Sequence, residues 1–504
     1  MSEDVAEETG MLVRSITWKQ GLFVALGVPI LILPSLYDVE GYIWAFSIAL
    51  WTICVLQGFL QNTAYGEMVT VFPRAAGLPG CAQVVFTPEN QTKKYDTGKL
   101  IGAFCAWCYW FAWTPVVAIF TVMIGLYLCT FVDPIAEFAD GGSLNATVLN
   151  VVLGLIIVTV MLLISARGLS GGSKFGLVLA IVAIVPLVVI LAAAFITGGE
   201  GGGAMFDFGR ITEEFLPPGW GTASDIALLF GCFALAQWSG CAWETAALYG
   251  PEYKNPNTDV PKALFSCGLI CLGLYFFVSM GVFGSLGVEG IADAGYATLG
   301  PIAEGVFGNI GGPIALILLI AAMVLIIQTG FLGSSRTLYY MSEEGNMPKF
   351  MKKQNKHGMP VNAMIVVSIF NLILIVSATI EIGGIEGGGP VMILAASGIG
   401  YCIAHVIALS AYVKSKTNIR FKDLPRPFSA PRGWKYVAAG MVIYEACVLI
   451  PCLIFWMYDL FGGAPLPFIL AVIVFGMFFP LWFFTQKKNS EQNGGTEEEA
   501  QATD

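Results

Sequence analysis

Twelve long apolar segments divide the sequence, and they restrict the chain to a fold that crosses a membrane. Each segment is close to the length of about 20 residues that a helix needs to span the hydrocarbon layer. Backbone groups find no water there, so each segment has to form a helix that satisfies its own hydrogen bonds. The predicted spans are residues 20–36, 42–66, 100–131, 147–165, 175–197, 222–249, 263–287, 312–341, 362–380, 389–412, 436–458 and 465–485.

Composition supports the same fold class and argues against a soluble protein. Of the 504 residues, 56% are hydrophobic and only 12% are charged, which is more apolar surface than a soluble chain of this length can bury. We therefore predict an all-α integral membrane protein with one transmembrane domain, residues 18–486, between polar tails at 1–17 and 487–504. The net charge of -10 comes mostly from the tails and outer loops. The sequence contains no basic patch of the kind that binds nucleic acid.

The N-terminus and the cysteines add two expectations. The acidic start MSEDVAEETG is unlike the basic first region of a signal peptide, so the first apolar segment is expected to stay in the mature protein. Nearly all of the twelve cysteines lie inside apolar spans, as Cys105 and Cys108 do in AFCAWCYWF. Their spacing places both on one helix face without a second pair or a nearby histidine. This pattern predicts packing residues, with no disulfide, metal or other cofactor.

The basic residues predict how the spans are oriented. With a cytoplasmic N-terminus and twelve spans, 24 of the 25 Lys and Arg residues fall in cytoplasmic segments, and only Arg210 lies outside. This segregation follows the positive-inside rule, and a wrong span count would scramble it. We therefore predict a multi-pass protein of the cell membrane with both termini in the cytoplasm.

Helix-breaking residues interrupt the first and sixth spans at corresponding places. The first span carries Gly27 and Pro29 within LGVPILILPS, and the sixth carries the sequence SGCA at 239–242. Paired breaks five spans apart are typical of inverted-repeat transporters, whose site lies at the membrane midplane. Either break alone is also compatible with a kink that neighbouring helices satisfy. The predicted repeats cover about residues 20–197 and 222–412, and two further helices cover about residues 436–485.

Four stretches resemble, in order, motifs of the amino acid-polyamine-organocation (APC) permeases. They accompany the second, sixth, eighth and tenth spans. The resemblance implies a LeuT-type fold, with discontinuous helices 1 and 6, and secondary active transport of an amino acid or a related amine. The stretches are AYGEMVTVFPRAAGLPG (64–80), CAWETAALYGPEYKNPNTDVPKAL (241–264), SSRTLYYMSEEGNMPKFMKKQNKHGMPVNA (334–363) and RPFSAPRGW (426–434).

The resemblance also implies where the substrate binds. In the family, a G-S-G break in span one presents backbone amides to the substrate carboxylate at a positive helix end. Here Pro29 replaces the second glycine and has no N–H to donate, so the amides of Ile30 and Leu31 would take that role. An amine, polyamine or other organic ion without an α-carboxylate is the alternative substrate. The expected substrate-binding residues are Gly27, Val28, Pro29, Ile30, Trp238, Ser239, Gly240, Cys241, Ala242 and Trp243.

Glu244 is the main candidate for ion coupling, because an intramembrane carboxylate is usually paired, protonated or functional. It is expected to respond to protons or to neutralise a substrate amine; a carboxyl hydrogen-bonded to a neighbouring helix is the alternative. The family's span-five lysine falls near Ala180, in a run without lysine, which weakens simple proton coupling. Ser334 and Ser335 are therefore candidates for sodium, although serine is also common at helix contacts.

Gating candidates lie on both sides of the expected site. Trp238 and Trp243 flank the second break and could occlude a ligand through cation–π contact, or simply pack. Glu67 is expected to pair with Arg74 or Arg336 in an inner gate, or to be a solvated helix end. Two further polar residues within spans, His405 and Glu445, are candidates for satisfied core groups.

Other classes of function fit the sequence less well. A membrane enzyme would need a nucleophile or metal constellation, yet the two histidines lie far apart in the chain and no G-x-S-x-G or H-E-x-x-H pattern is present. A substrate-sensing receptor would need a signalling region, whereas the predicted tails are short and acidic. We expect a symporter or exchanger of a small molecule, coupled to protons or sodium, and no enzyme.

Overall fold

The protein is described by a computed structural model that covers residues 14–89, 94–380, 389–455 and 466–501. Within these residues the regular structure is helical, apart from two isolated β-bridges, Ile16 with Tyr253 and Gly198 with Ala204. The predicted tails 1–17 and 487–504 lie partly outside the described residues, as does the end of the predicted span 436–458.

The helices follow the predicted spans closely along the chain. The first half contains α1 Trp18–Ala25, α2 Leu36–Ile43, α3 Phe46–Val71, α4 Gly77–Phe86, α5 Thr97–Trp113, α6 Val116–Phe131, α7 Asp133–Ala139, α8 Ser143–Ser165 and α9 Leu169–Ala194. The second half contains α10 Phe208–Glu213, α11 Ala223–Gly240, α12 Pro256–Ala294, α13 Leu299–Phe307, α14 Gly311–Glu343, α15 Val361–Thr379, α16 Gly389–Thr417, α17 Trp434–Phe455 and α18 Leu466–Gln501.

Eleven segments of the described chain are long and apolar enough to cross a membrane, and each lies at a predicted span. The predicted span 42–66 is the one not among them. It corresponds to α3, whose 26 residues are long enough but include the buried polar residues Gln57, Gln61, Asn62 and Glu67. An all-helical, multi-pass membrane protein is therefore confirmed, and the twelfth span stays a prediction.

The structure adds one interruption within a predicted span and one short helix between two predicted spans. The span predicted at 100–131 is divided into α5 and α6 at Pro115, which cannot donate a backbone hydrogen bond. The short apolar helix α4 was not predicted as a separate element, and it packs against α5 and α16. These additions occur where prolines and glycines interrupt an otherwise apolar run.

The first described residues and the helix α18 contact the loops after the sixth span and after α14, which lie on one side of the molecule. The backbone N–H of Ser15 donates to the carbonyl of Glu252, and the side chain of Gln486 donates to the carbonyl of Gly345. We call this the terminal side. The opposite side carries the outer end of α2 and Arg210, whose guanidinium binds backbone carbonyls including that of Gly284 at 3.1 Å.

Several long helices pack closely on one another. α12 packs on α3, α14 packs on α6 and α9, and α16 packs on α5 and α17. By contrast, α9 exposes Val178, Ile181, Val185 and Val189 along one face. Because a helix repeats about every 3.6 residues, these side chains form one apolar stripe, which is suited to contact lipid.

Candidate functional site

The first span breaks where its prolines remove backbone donors. α1 ends four residues before Pro29, and two 3-10 turns, Val28–Ile30 and Leu33–Ser35, connect α1 to α2. In a continuous helix the N–H of residue 29 would bond to the carbonyl four residues earlier, but proline has no N–H. The turns form shorter-range bonds instead, and the Leu31 N–H donates to the Val28 carbonyl at 3.0 Å.

Gly27 allows this broken segment to approach α14 closely. A Cβ atom on Gly27 would lie 2.5 Å from Oγ1 of Thr329 and 3.0 Å from Cα of Ile326. The same Thr329 hydroxyl donates to the carbonyl of Val24 at 2.7 Å, so it satisfies a backbone group near the break. Gly27 is therefore required for helix packing, independently of any ligand.

The sixth span breaks after Gly240 and continues as a 3-10 helix, Ala242–Glu252. The N–H of Cys241 still closes the last α-helical turn, and its carbonyl accepts a hydrogen bond from Nδ2 of Asn62 at 3.3 Å. A side chain from the second span thus replaces a backbone partner that the break removes, as expected for a break inside a membrane.

Two serine hydroxyls bring the breaks together. Oγ of Ser35 lies 3.4 Å from Oγ of Ser239, and the 3-10 segments of the two spans are in direct contact. Residues 27–30 and 239–242 are all buried. The structure therefore collects the predicted substrate-binding residues of both spans into one buried region.

The two tryptophans beside the second break have different surroundings. Trp243 fills a slot between α3 and α12, where Cβ atoms on Gly58 and Gly268 would lie 2.8 Å and 2.7 Å from the indole. Trp238 donates from Nε1 to the carbonyl of Ala112 at 3.3 Å and faces the α5 side. The tight slot gives Trp243 a packing role, and gating by either ring stays a prediction.

Glu244 is buried among aromatic side chains. The hydroxyl of Tyr109 donates to its Oε1 at 3.4 Å, and Trp113 and Tyr401 also lie close to its carboxyl group. Its Oε2 has no hydrogen-bond partner within the described part of the chain. A carboxyl with one weak donor and no basic neighbour is suited to bind a proton or a cation.

Two other polar groups that the sequence placed within spans have defined partners. Oε2 of Glu445 accepts from Nε2 of Gln237 at 3.0 Å, and its Oε1 accepts from Gln57 at 3.4 Å and also from Gln61. His405 shares a hydrogen bond of 2.7 Å between its Nδ1 and the Tyr65 hydroxyl. Three amide donors make Glu445 a satisfied buried carboxylate.

The terminal side is closed by two ion-pair clusters. Oε1 of Glu67 accepts from Arg426 at 2.7 Å and also binds Lys416, and its Oε2 accepts from the Tyr412 hydroxyl at 2.8 Å. The expected pairing of Glu67 with Arg74 or Arg336 is therefore wrong. The partners come from α16 and the following loop, more than 340 residues away in sequence.

Arg336 forms the second cluster with a different carboxylate. Its Nε and Nη2 donate to the two oxygens of Glu252 at 2.5 and 3.2 Å, and both side chains are buried. The guanidinium carbon also lies 5.1 Å from the ring centre of Tyr249, in cation–π geometry. This two-pronged pair connects the sixth span to α14.

The serines proposed for sodium lie inside α14. Ser334 donates to the carbonyl of Gly330 at 2.7 Å, and Ser335 donates to that of Phe331 at 2.5 Å. Both hydroxyls therefore bond to their own helix, while the lone pairs of their oxygens stay able to coordinate a cation. The sodium site stays a prediction.

Burial of the carboxylates Asp38 and Glu40 was not predicted from the sequence, because residues 37–41 fall between two predicted spans. In the structure α2 continues to Ile43 and buries Asp38 and Glu40, which are only 7% and 1% exposed. The sequence YDVEGY carries little of the Gly, Pro, Asn or Ser that marks a turn. That absence was the available signal that the helix continues.

Membrane-length helices and two facing breaks define a multi-pass membrane protein of the transporter type. A sequence profile described as amino acid permease matches residues 15–487. The chain belongs to this family, which is part of the APC superfamily, as the four sequence motifs predicted.

Named relatives agree with the family. The chain is 26% identical to the uncharacterized amino acid permease YecA of Bacillus subtilis, over 68% of this chain and 72% of that protein. It is 23% identical to the arginine/ornithine antiporter ArcD1 of Lactococcus lactis, over 69% and 68% of the two chains. It is 24% identical to the serine/threonine exchanger SteT of Bacillus subtilis, over 58% of each chain. These similarities support an amino acid transporter.

Proposed function

We propose that this protein is a secondary active transporter that carries an amino acid across the cell membrane by alternating access, as a symporter or an exchanger. The observation that carries the proposal is the contact between the two buried breaks, where Ser35 and Ser239 lie 3.4 Å apart. A ligand held between two broken helices contacts both repeats at once, so their relative motion can change its access. The relatives are named for different amino acids, so they support an amino acid substrate without identifying which one.

The substrate carboxylate requires a change in the first break. Pro29 has no N–H, and the Leu31 N–H, which the sequence assigned to the substrate, is bonded to the Val28 carbonyl. A substrate carboxylate at this helix end would accept the hydrogen bond of the Leu31 N–H in place of the Val28 carbonyl. Because 3-10 hydrogen bonds have poor geometry, this exchange costs little. A substrate without a carboxylate would leave the turn intact, which makes an amine the second candidate.

The terminal side, which we assign to the cytoplasm, contains the inner gate in this proposal. Glu67 of α3 is tied to Lys416 of α16, and Glu252 of the sixth span is tied to Arg336 of α14. We expect spans one, two, six and seven to rock against spans three, four, eight and nine. The Glu252–Arg336 pair joins these two groups, through the sixth and eighth spans, and the Glu67–Lys416 pair joins the second span to the tenth. Opening toward the cytoplasm would separate both pairs, and closing would restore them.

Glu244 is proposed as the coupling group, with a proton as the ion. It lies one turn beyond the second break and has an unpartnered oxygen among the described residues. A change in its charge would alter the field at the substrate and the stability of the closed state. A sodium ion at Ser334 and Ser335 is the alternative. Coupling to protons predicts that a pH gradient drives uptake, whereas coupling to sodium predicts that a sodium gradient does.

Uptake into liposomes that contain the purified protein tests the proposal. A panel of labelled amino acids, amines and organic acids is supplied under an imposed pH gradient, an imposed sodium gradient, or an excess of unlabelled substrate inside. We expect saturable uptake of at least one amino acid under one of these conditions. Ile181→Leu, a conservative change on the lipid-facing stripe, is the matched control and should transport normally.

The outcomes separate the alternatives. Uptake of amines alone would indicate that the substrate is an amine without a carboxylate and not an amino acid. Ligand-induced thermal stabilisation without any uptake would indicate a receptor on a transporter fold. Neither binding nor uptake of any amino acid by folded protein would contradict the proposed function.

A further inference from the structure

A second group of polar atoms lies beyond the breaks, on the opposite side of the molecule. A small cavity there is lined by Ser35 and Asp38 of the first span, by Tyr296, and by apolar side chains including Phe120 and Leu394. It has room for about one water molecule in this state. One wall is therefore acidic, and the remaining walls suit methylene groups.

Among the described residues that line this cavity, Asp38 is the one carboxylate. Its Oδ1 accepts a hydrogen bond from the Tyr296 hydroxyl at 3.0 Å, and its Oδ2 has no partner among the described residues. The side chain is 7% exposed, so water does not solvate it fully. A buried carboxylate with a free oxygen needs a positive charge or a proton beside it.

Within the described ranges, no basic side chain pairs with this carboxylate. None of the ion pairs within the described residues includes Asp38 or Glu40. The one basic residue expected on this side, Arg210, donates to the carbonyls of Met205, Gly284 and Ser285. Among the residues that the structure describes, the free oxygen of Asp38 is therefore open to a positively charged ligand.

Ser35 connects the cavity to the region where the two breaks meet. Ser35 lines the cavity and also lies 3.4 Å from Ser239 of the second break, while Asp38 follows Ser35 by three residues on α2. Three residues correspond to nearly one helical turn, or about 5 Å along the axis. A ligand with its α-amino and α-carboxyl groups at the breaks would thus direct its side chain along this turn toward Asp38.

From this arrangement we infer that the substrate is an amino acid with a positively charged side chain, and that Asp38 is the residue that selects it. The inference rests on the proposed amino acid transport and adds the charge of the side chain. The cationic group pairs with the free Oδ2 of Asp38, and the apolar walls contact the methylene groups. Neutral amino acids leave Asp38 without a partner and are disfavoured.

Arginine and lysine, each compared with a neutral analogue, provide the test. Citrulline has nearly the shape of arginine without its charge, and norleucine is lysine without its amine. We expect the wild-type protein in liposomes to prefer each cationic member by at least about tenfold in kcat/KM, because truncating one partner of a buried charge pair is costly. Asp38→Asn should reduce each preference by at least about tenfold, because the cationic member loses its partner and the neutral member no longer leaves a buried carboxylate unpaired.

A matched variant separates this site from a general effect of negative charge. Glu40→Gln makes the same chemical change two residues away, at a buried carboxylate that does not line the cavity. It should retain the preference for arginine over citrulline. If Asp38→Asn does not fold, Asp38→Glu keeps the charge and moves it, and should keep the sign of the preference while changing the ratio of lysine to arginine.

Failure of this inference differs from failure of the proposed function. Equal uptake of arginine and citrulline by the wild type, or an unchanged ratio in Asp38→Asn, would overturn the role of Asp38 and leave amino acid transport intact. Preferred uptake of a diamine over lysine would contradict an amino acid substrate but would still support recognition of a cation. No uptake of any amino acid would contradict the proposed function itself.

Discussion

Buried carboxylates are treated differently on the two sides of the molecule. On the terminal side, Glu67 and Glu252 each bind at least one basic side chain of the protein. On the opposite side, Asp38 has one tyrosine hydroxyl, and Glu40 has no side-chain hydrogen bond within the described ranges. The protein closes one side with its own charges, whereas the other side offers negative charge without a fixed partner. This asymmetry is what a carrier needs if a cation enters from the opposite side.

The largest effect is expected from Arg336→Met, which removes one member of the buried pair on the terminal side. Glu252 would keep its burial without a cation, which costs about 3–5 kcal/mol. We expect a large fall in thermal stability of the purified protein and loss of uptake. Glu252→Gln added to Arg336→Met should restore part of the stability, because it removes the uncompensated charge.

The control for this prediction is Arg420→Met. Arg420 pairs with Glu89 at 2.7 Å, but the two side chains are 29% and 68% exposed, so the pair is largely solvated. Its loss should cost at most about 1 kcal/mol. Equal destabilisation by the two methionine variants would show that the buried Arg336–Glu252 pair contributes no more to stability than the exposed Arg420–Glu89 pair.

A smaller effect is expected from Glu67→Gln. Glutamine keeps the shape of the side chain but loses its charge toward Lys416 and Arg426, at a cost of about 1–3 kcal/mol. Because this cluster closes the terminal side, local opening should become more frequent there. Hydrogen exchange should accelerate at the end of α16 and in the loop that follows it, and stay unchanged in α2. Faster exchange in α2 as well would indicate general destabilisation instead of gate opening.

Between the two sides, the close contact at Gly27 can be tested with a single methyl group. Gly27→Ala places a Cβ 2.5 Å from the Thr329 hydroxyl, and overpacking of this kind costs about 1–3 kcal/mol. We expect a lower melting temperature, with partial recovery when Thr329→Ala is added. Gly41→Ala, in the same span, meets no atom within 4 Å and should have little effect. Similar losses from both alanines would argue against the packing role.

The smallest effect is expected from Glu244→Gln, which should leave the fold intact. The ratio of uptake rates at low and high pH should differ from that of the wild type by a few-fold. The carboxyl of Glu244 has an unpartnered oxygen among the described residues, so glutamine removes a proton-binding group. Initial uptake rates between about pH 5 and 8 provide the measurement. Glu445→Gln is the comparison, because three glutamines already satisfy that carboxylate. An unchanged profile in Glu244→Gln would remove it from coupling.

The sequence predicted the positions of the helices because their cause is local. Long apolar runs set the length of each span, and prolines set the break that α1 and α2 flank. Helix-breaking residues five spans apart extended the prediction to the pairing of the two broken spans. The contact between Ser35 and Ser239 is consistent with that pairing.

The partners of charged groups were harder to predict because they are set by tertiary packing. Glu67 pairs with residues of α16 and the next loop, and nothing local to α3 distinguishes them from Arg74. Asp38 and Glu40 were missed for a different reason: charged residues lower the apolar signal that marks a span, so a helix that buries them resembles a loop. The site therefore depends most on residues for which hydropathy is least informative.

The three glutamines around Glu445 have a mechanical consequence. Gln237 precedes the second break by only three residues, and α17 packs along α11. If α11 tilts during a transport cycle, it must either carry α17 with it or break the bond between Gln237 and Glu445. A helix that lies outside both predicted repeats would then travel with the moving part of the protein, so a probe attached to the lipid-facing side of α17 would report the cycle without touching the substrate path.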